Sequence, residues 1–214
     1  MVTVDNGTIL LDGRLVKTPG RITLQLPTSQ LAEAVADEWR AVGSEIRPHE
    51  MPLTGLANAA VERAPLAETL AVYGETDLLC YRAETPPELA AREADIWDPL
   101  LDWARKRFDI SFTVTWGIIH TAQPPETARR LAAAVAAYDD FHRTALSPLV
   151  TIGGSLVVAL MLAEGAITAD DAFDACHLDE IWQAELWGED WMATDARAAR
   201  RADFLSAARF LTLL

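Results

Sequence analysis

The sequence predicts an α+β fold, with a small N-terminal β-rich domain with helices over residues 1–86 and a mainly α-helical bundle domain over 87–214. Three observations predict it. The first thirty residues alternate apolar and polar around turn residues, most of the remainder carries apolar residues at helical spacing, and Pro86-Pro87 falls between the two patterns. Residues 8–11 and 14–17 flank Asp12-Gly13, a pair suited to a two-residue hairpin turn. Thr18-Pro19-Gly20 makes a second turn, and the alternation over 22–26 reads as a half-buried strand. Pro27 stops the sheet and Thr28 is placed to cap a helix that carries Leu31, Ala34, Val35, Trp39 and Val42 on one stripe and ends at Gly43. A loop with Pro48 and Pro52 precedes a helix from Leu56 to Ala64, and Pro65 opens another to about Tyr73. Residues 76–82 read as a strand.

Beyond Pro87 the spacing predicts one helix over 88–108, interrupted at Asp98-Pro99. Residues 111–116 alternate as a strand or connector. Helices are predicted over 126–146, 155–163 and 169–188, the last capped by Thr168 with Asp170 and Asp171 facing its dipole. A final amphipathic helix covers 193–214. Gly153-Gly154-Ser155 is read as a close-packed turn leading into a buried helix.

Length and charge exclude several functions. A chain of 214 residues can bury roughly 70% of its unfolded surface, so it folds without a disulfide or metal. Lys and Arg total 18 against 32 Asp and Glu, a net charge of −14. Such a chain repels phosphate backbones and anionic membranes, so neither nucleic acid nor a lipid surface is its partner. A basic protein or peptide partner is allowed, because the same field raises its encounter rate. Cys80 and Cys176 each sit in an apolar run and read as reduced core residues of a cytosolic compartment. The N-terminus carries no signal or transit pattern, and the most apolar stretch, 149–163, is too interrupted to span a membrane.

Enzyme motifs are missing. Ile152-Gly153-Gly154-Ser155 lacks the lysine and spacing of a phosphate loop, and it lacks the flanking pattern of a nucleophile elbow. His49, His120, His142 and His177 are far apart, and no metal-ligand spacing joins them; no cofactor or metal is expected.

One segment stands out. Residues 178–191 combine Trp182, Trp187 and Trp191 with five carboxylates, Asp179, Glu180, Glu185, Glu189 and Asp190. Helical spacing puts Phe173, Cys176, Glu180, Ala184 and Trp187 on one face, with Glu180 inside an otherwise apolar stripe; Glu185 falls on another face. Three readings of Glu180 stay open. It is a buried carboxylate paired to an internal arginine, an acid/base partner of Glu185, or part of an aromatic and acidic patch that grips a partner.

The order of several segments then matches a known family. Thr28 with Leu31-Ala32 and Glu38-Trp39, Met51-Pro52-Leu53-Thr54, Tyr73 with residues 76–83, and residues 97–103 form the first part of the pattern. Gly154-Ser155, Asp179-Glu180, Gln183, Glu185 and Trp187-Gly188-Glu189-Asp190 complete it. The chain resembles the ATP synthase alpha-subunit assembly chaperones of mitochondria and related bacteria, over nearly its whole length. The resemblance implies a non-enzymatic chaperone that binds the unassembled alpha subunit and prevents its aggregation until the beta subunit replaces it. It implies a monomer without cofactors, cytoplasmic in a bacterium and in the mitochondrial matrix for eukaryotic relatives; the missing transit pattern fits a bacterial member. Glu180 and Glu185 match the family's functional acidic residues, and Trp182, Trp187 and Trp191 are the expected companions in the contact. The alternative is an acidic helical enzyme or small-ligand-binding protein with a carboxylate-lined cleft.

Overall fold

A computed structural model describes residues 1–188 and 191–214. Three antiparallel strands open the chain, β1 (Val2–Asp5), β2 (Thr8–Leu11) and β3 (Arg14–Leu15). Asp5 pairs with Thr8 and Leu11 with Arg14, so both connections are two-residue turns. Asn6-Gly7 and Asp12-Gly13 all take positive φ, the backbone such turns require. The expected strand over 22–26 does not form a ladder. Only isolated bridges, Lys17 to Thr23 and Thr8 to Gln25, join it to the sheet, although Leu24 and Leu26 are buried. The alternation there records core packing of two leucines with irregular antiparallel pairing, Leu24 N–H donating to the Val16 carbonyl at 3.2 Å and Leu26 N–H to the Gly7 carbonyl at 2.8 Å.

Thr28 caps α1 (Ser29–Ala41), its hydroxyl accepting from Leu31 N–H at 3.1 Å. The helix closes at Val42, in extended conformation, one residue before the glycine expected to end it. Near its end Glu38 reaches α2 (Pro52–Arg63) and accepts from the N–H groups of Leu53 and Thr54, each at 2.8 Å. A carboxylate there satisfies orphan donors and complements the helix dipole. α3 (Ala67–Ala71) follows, continued by a tight turn through Gly74.

The strand expected over 76–82 is mostly a turn. Leu78–Cys80 form one turn of 3-10 helix, and only β4 (Tyr81–Arg82) is extended, pairing parallel with β5 (Thr115–Trp116). Asp77 is the cause. Its fully buried carboxylate accepts from Leu79 N–H at 3.1 Å and from Val157 N–H at 3.0 Å, pinning the turn to the start of α7 (Leu156–Ala163).

α4 (Pro87–Phe108) runs through Asp98-Pro99 without ending. The single helix expected over 126–146 is instead α5 (Pro125–Ala136) and α6 (Asp140–Gly153). Asp139 breaks it by accepting from His142 N–H at 2.9 Å as a new N-cap. Gly154 takes φ +69° and Ser155 caps α7, so the predicted turn is in place. The helix expected over 169–188 is also two, α8 (Ala169–Cys176) and α9 (Leu178–Trp187), and α10 (Trp191–Thr212) completes the α+β fold.

α7 is apolar all round and lies at the centre of the larger core, with Trp97, Leu101, Phe173 and Phe204 around it. A second core joins Ile9, Leu24, Leu31, Val35 and Leu53 to Ala145 of α6 and Phe210 of α10. Cys80 lies in the larger core and Cys176 packs against it as a free thiol; burial pushes the Cys80 thiol up to about 12 and that of Cys176 higher still. Neither is a nucleophile at neutral pH. Among the described residues, no helix is long and apolar enough to cross a membrane.

Candidate functional site

The site is built on α9, held between α4 and α10. It begins where α8 stops. His177 takes φ −114° and ψ 23°, its ring stacked 3.8 Å from that of Phe173 and its Nδ1 2.9 Å from the Phe173 carbonyl oxygen. Trp97 of α4 donates from Nε1 to the Ala175 carbonyl at 2.8 Å, fixing the end of α8. The continuous face expected to carry Phe173, Cys176, Glu180, Ala184 and Trp187 therefore does not exist. Phe173 is buried under α10, whereas Glu180 lies beyond the break and keeps 47% of its side chain exposed.

Glu180 is ion-paired, as one reading held, but on the surface and not in the core. Arg200 of α10 donates from Nη2 to both carboxylate oxygens, at 2.7 and 2.5 Å. Glu185 faces the other way. Arg92 of α4 donates to its two oxygens at 2.5 and 3.0 Å, and the guanidinium lies 5.7 Å from the ring centre of Trp182. That hydrogen-bonded pair holds the Glu185 carboxyl below the usual range. Glu180 and Glu185 thus anchor opposite flanks of one helix, and they do not form an acid/base pair.

A third carboxylate of the segment turns inward. Asp179 meets Glu93, which sits 1% exposed within the apolar stripe of α4 and accepts from Ala83 N–H at 2.7 Å. Burial first, and then the charge of Asp179, raise the Glu93 pKa. Asp179 Oδ1 is buried without a hydrogen-bond partner among the described residues.

The aromatic residues divide. Trp182 is half-buried under Arg92, while Trp187 and Trp191 are 78% and 72% exposed, with Leu186 and Met192 also open to solvent. Glu180, Gln183, Trp187, Arg197 and Arg200 line an open groove of about 390 Å³ between α9 and α10. Glu189 and Asp190, part of the same sequence motif, lie outside the described residues. Arg92, Glu93 and Arg200 were not singled out by the sequence. Each lies in a helical stretch with no spacing that links it to a partner far along the chain, and only Glu93, a charge on an apolar stripe, left any signal. Among the described residues no group of three His, Cys, Asp or Glu is arranged to hold a metal ion.

Known proteins share this fold. A family profile described as ATP12 chaperone protein matches residues 2–105. Atp12 from Paracoccus denitrificans is 41% identical, with a TM-score of 0.94 over 100% of this chain and 94% of that one; a lysine-for-aspartate variant of that protein matches equally. The Agrobacterium tumefaciens protein Atu1473, provisionally described as a chaperone, is 37% identical with a TM-score of 0.92 over 99% of this chain and 82% of that one. With that identity along the whole chain and the profile match on its first half, this protein belongs to the ATP12 chaperone family.

Proposed function

We propose that the chain is an ATP-independent assembly chaperone. It binds the unassembled alpha subunit of the ATP synthase catalytic head and prevents its aggregation until the beta subunit takes its place. The observation that carries this reading is the cluster of open apolar side chains at Leu186, Trp187, Trp191 and Met192, beside the charged groove between α9 and α10. Large apolar patches rimmed by polar groups mark protein contacts. An unassembled subunit exposes such a surface of its own, and covering it with a modest interface leaves the chaperone displaceable by a larger native one. In this reading Glu180, Glu185, Trp182, Trp187 and Trp191 form or support the contact, and the protein acts as a monomer in the bacterial cytoplasm.

The test is aggregation and capture. Light scattering of unfolded alpha subunit on dilution should fall at near-stoichiometric chaperone without nucleotide, and the pair should co-purify until beta subunit is added. Unchanged scattering with no capture overturns the reading, as does magnesium-dependent ATP hydrolysis by the pure protein.

A further inference from the structure

The joint between α4 and α9 brings two carboxylates together without a cation between them. Glu93 lies in the buried stripe of α4 that also carries Leu89, Trp97 and Leu101. Its Oε2 accepts from the Ala83 N–H at 2.7 Å. The same side chain meets Asp179, in the first turn of α9, whose Oδ1 is buried and has no hydrogen-bond partner among the described residues.

The charges around this contact are committed elsewhere. On β4, Arg82 is near enough to act on Glu93, but its guanidinium donates to the Leu79 carbonyl and to Asp98 and lies over the Trp97 ring. On α4 itself, Arg92 turns to Glu185. His177, which precedes α9, is stacked on Phe173, and the charges near it are Glu180, Arg200 and Arg197. The other polar ties of α9, Glu180 to Arg200 and Glu185 to Arg92, are part exposed and screened by solvent.

Two carboxylates in contact away from water lose hydration and repel each other. A single proton reverses the sign of the contact, because a carboxyl then donates to a carboxylate in a short, charge-assisted hydrogen bond. Burial raises the Glu93 pKa and the charge of Asp179 adds to this, against the opposing pull of the Ala83 N–H and of Arg82.

We infer that Glu93 and Asp179 form a proton-operated latch, which ties the first turn of α9 to α4 while the pair holds one proton and frees it when the pair holds none. Glu93 is a positioning residue in this arrangement. It acts on the aromatic and acidic surface of α9 through Asp179 and touches no partner itself. The latch belongs to the free chain, and only its effect on capture rests on α9 being the contact.

The test is hydrogen exchange of the full chain without partner. Opening of the α9 amides is referred to that of α1, which removes intrinsic exchange and changes in global stability. A proton held more tightly in the closed form stabilises it at low pH, so relative opening should be about tenfold greater at pH 8 than at pH 5. In Glu93→Gln the amide oxygen still accepts from Ala83 and the amide nitrogen donates to Asp179 at every pH, so α9 should stay protected throughout. Asp179→Asn supplies the donor from the other side and should flatten the profile in the same way. Glu93→Ala removes the contact and should leave α9 open at both pH values. A wild-type profile without pH dependence overturns the proposal. So does a Gln or Asn variant that keeps the wild-type profile, or equal loss of protection in all three variants, the mark of a merely structural role. Should one isosteric variant fail to fold, the other decides; failure of both overturns the latch, which requires only a neutral donor at either site.

Discussion

Arg92 of α4 holds Glu185 of α9 through two guanidinium nitrogens while its plane lies over Trp182. With Glu180 held by Arg200 on the opposite flank, α9 is fixed by one ion pair to each neighbouring helix. Substitutions at these carboxylates therefore act on the placement of the helix as well as on its charge.

For the Arg92 pair the expected outcome is a charge-swap rescue. Glu185→Arg alone should weaken capture of the alpha subunit about tenfold or more, with a melting temperature within a few degrees of wild type. Adding Arg92→Glu should restore most of the binding, since the pair is re-formed in reverse. Loss of binding that the swap does not recover would assign Glu185 to the partner contact itself.

Glu180→Gln should fold normally, because its partner Arg200 is itself 41% exposed and a solvated pair contributes at most about 1 kcal/mol. Binding should weaken by roughly 1–3 kcal/mol, the cost of a lost charged hydrogen bond, and more in Glu180→Lys. Melts and isotherms on the same two variants check this. A stability loss near the roughly 3–5 kcal/mol of a broken buried pair would contradict the exposure of this one.

Trp187→Ala should leave the melt unchanged, since the ring is open to solvent. If the side chain anchors the partner, affinity should fall by about 2 kcal/mol or more. The intrinsic fluorescence of the wild type should shift on binding, and that shift should shrink in the variant.

Asp77 gives a pH dependence of known sign. Burial raises its pKa from 3.8 to about 6, so the folded state holds its proton more tightly than the unfolded chain does. The stability this provides is complete at low pH and lost as pH rises from about 4 through 6. Asp77→Asn removes that proton-linked stabilisation along with an acceptor for the Val157 or Leu79 N–H. The variant should be less stable than wild type, with the difference about 2 kcal/mol smaller at pH 7.5 than at pH 4.5 in urea melts. A constant difference would mean that Asp77 titrates normally in the fold.

Local chemistry was legible where the chain interacts with its near neighbours. Thr28 and Thr168 cap helices as their positions predict, and Asp12-Gly13 turns as the dipeptide requires. Helix boundaries set by a single side chain were not. Asp139 and His177 split runs whose apolar spacing continues across the break, so periodicity carried through where backbone hydrogen bonding stopped. Asp77 converts a strand-like segment into a turn through a contact to Val157, eighty residues on, which no local pattern encodes. In the site, the tryptophans and acids of α9 were visible as composition. Arg92 and Arg200, which aim those acids, were not, because their partners are brought near only by the packing of α4 and α10.

The last helix also sets an order of events during synthesis. Phe210 is wholly buried in a core made mostly of residues from the first sixty, with Phe141 of α6 stacked on it, and the Thr28 hydroxyl donates to the Leu213 carbonyl across a separation of 185 residues. The N-terminal sheet and its two helices can emerge from the ribosome early, yet their apolar interior stays unsealed until α10 arrives. Partly made chains of this protein thus carry an open hydrophobic surface until α10 is in place, and they need the shielding that exposed folding intermediates generally need.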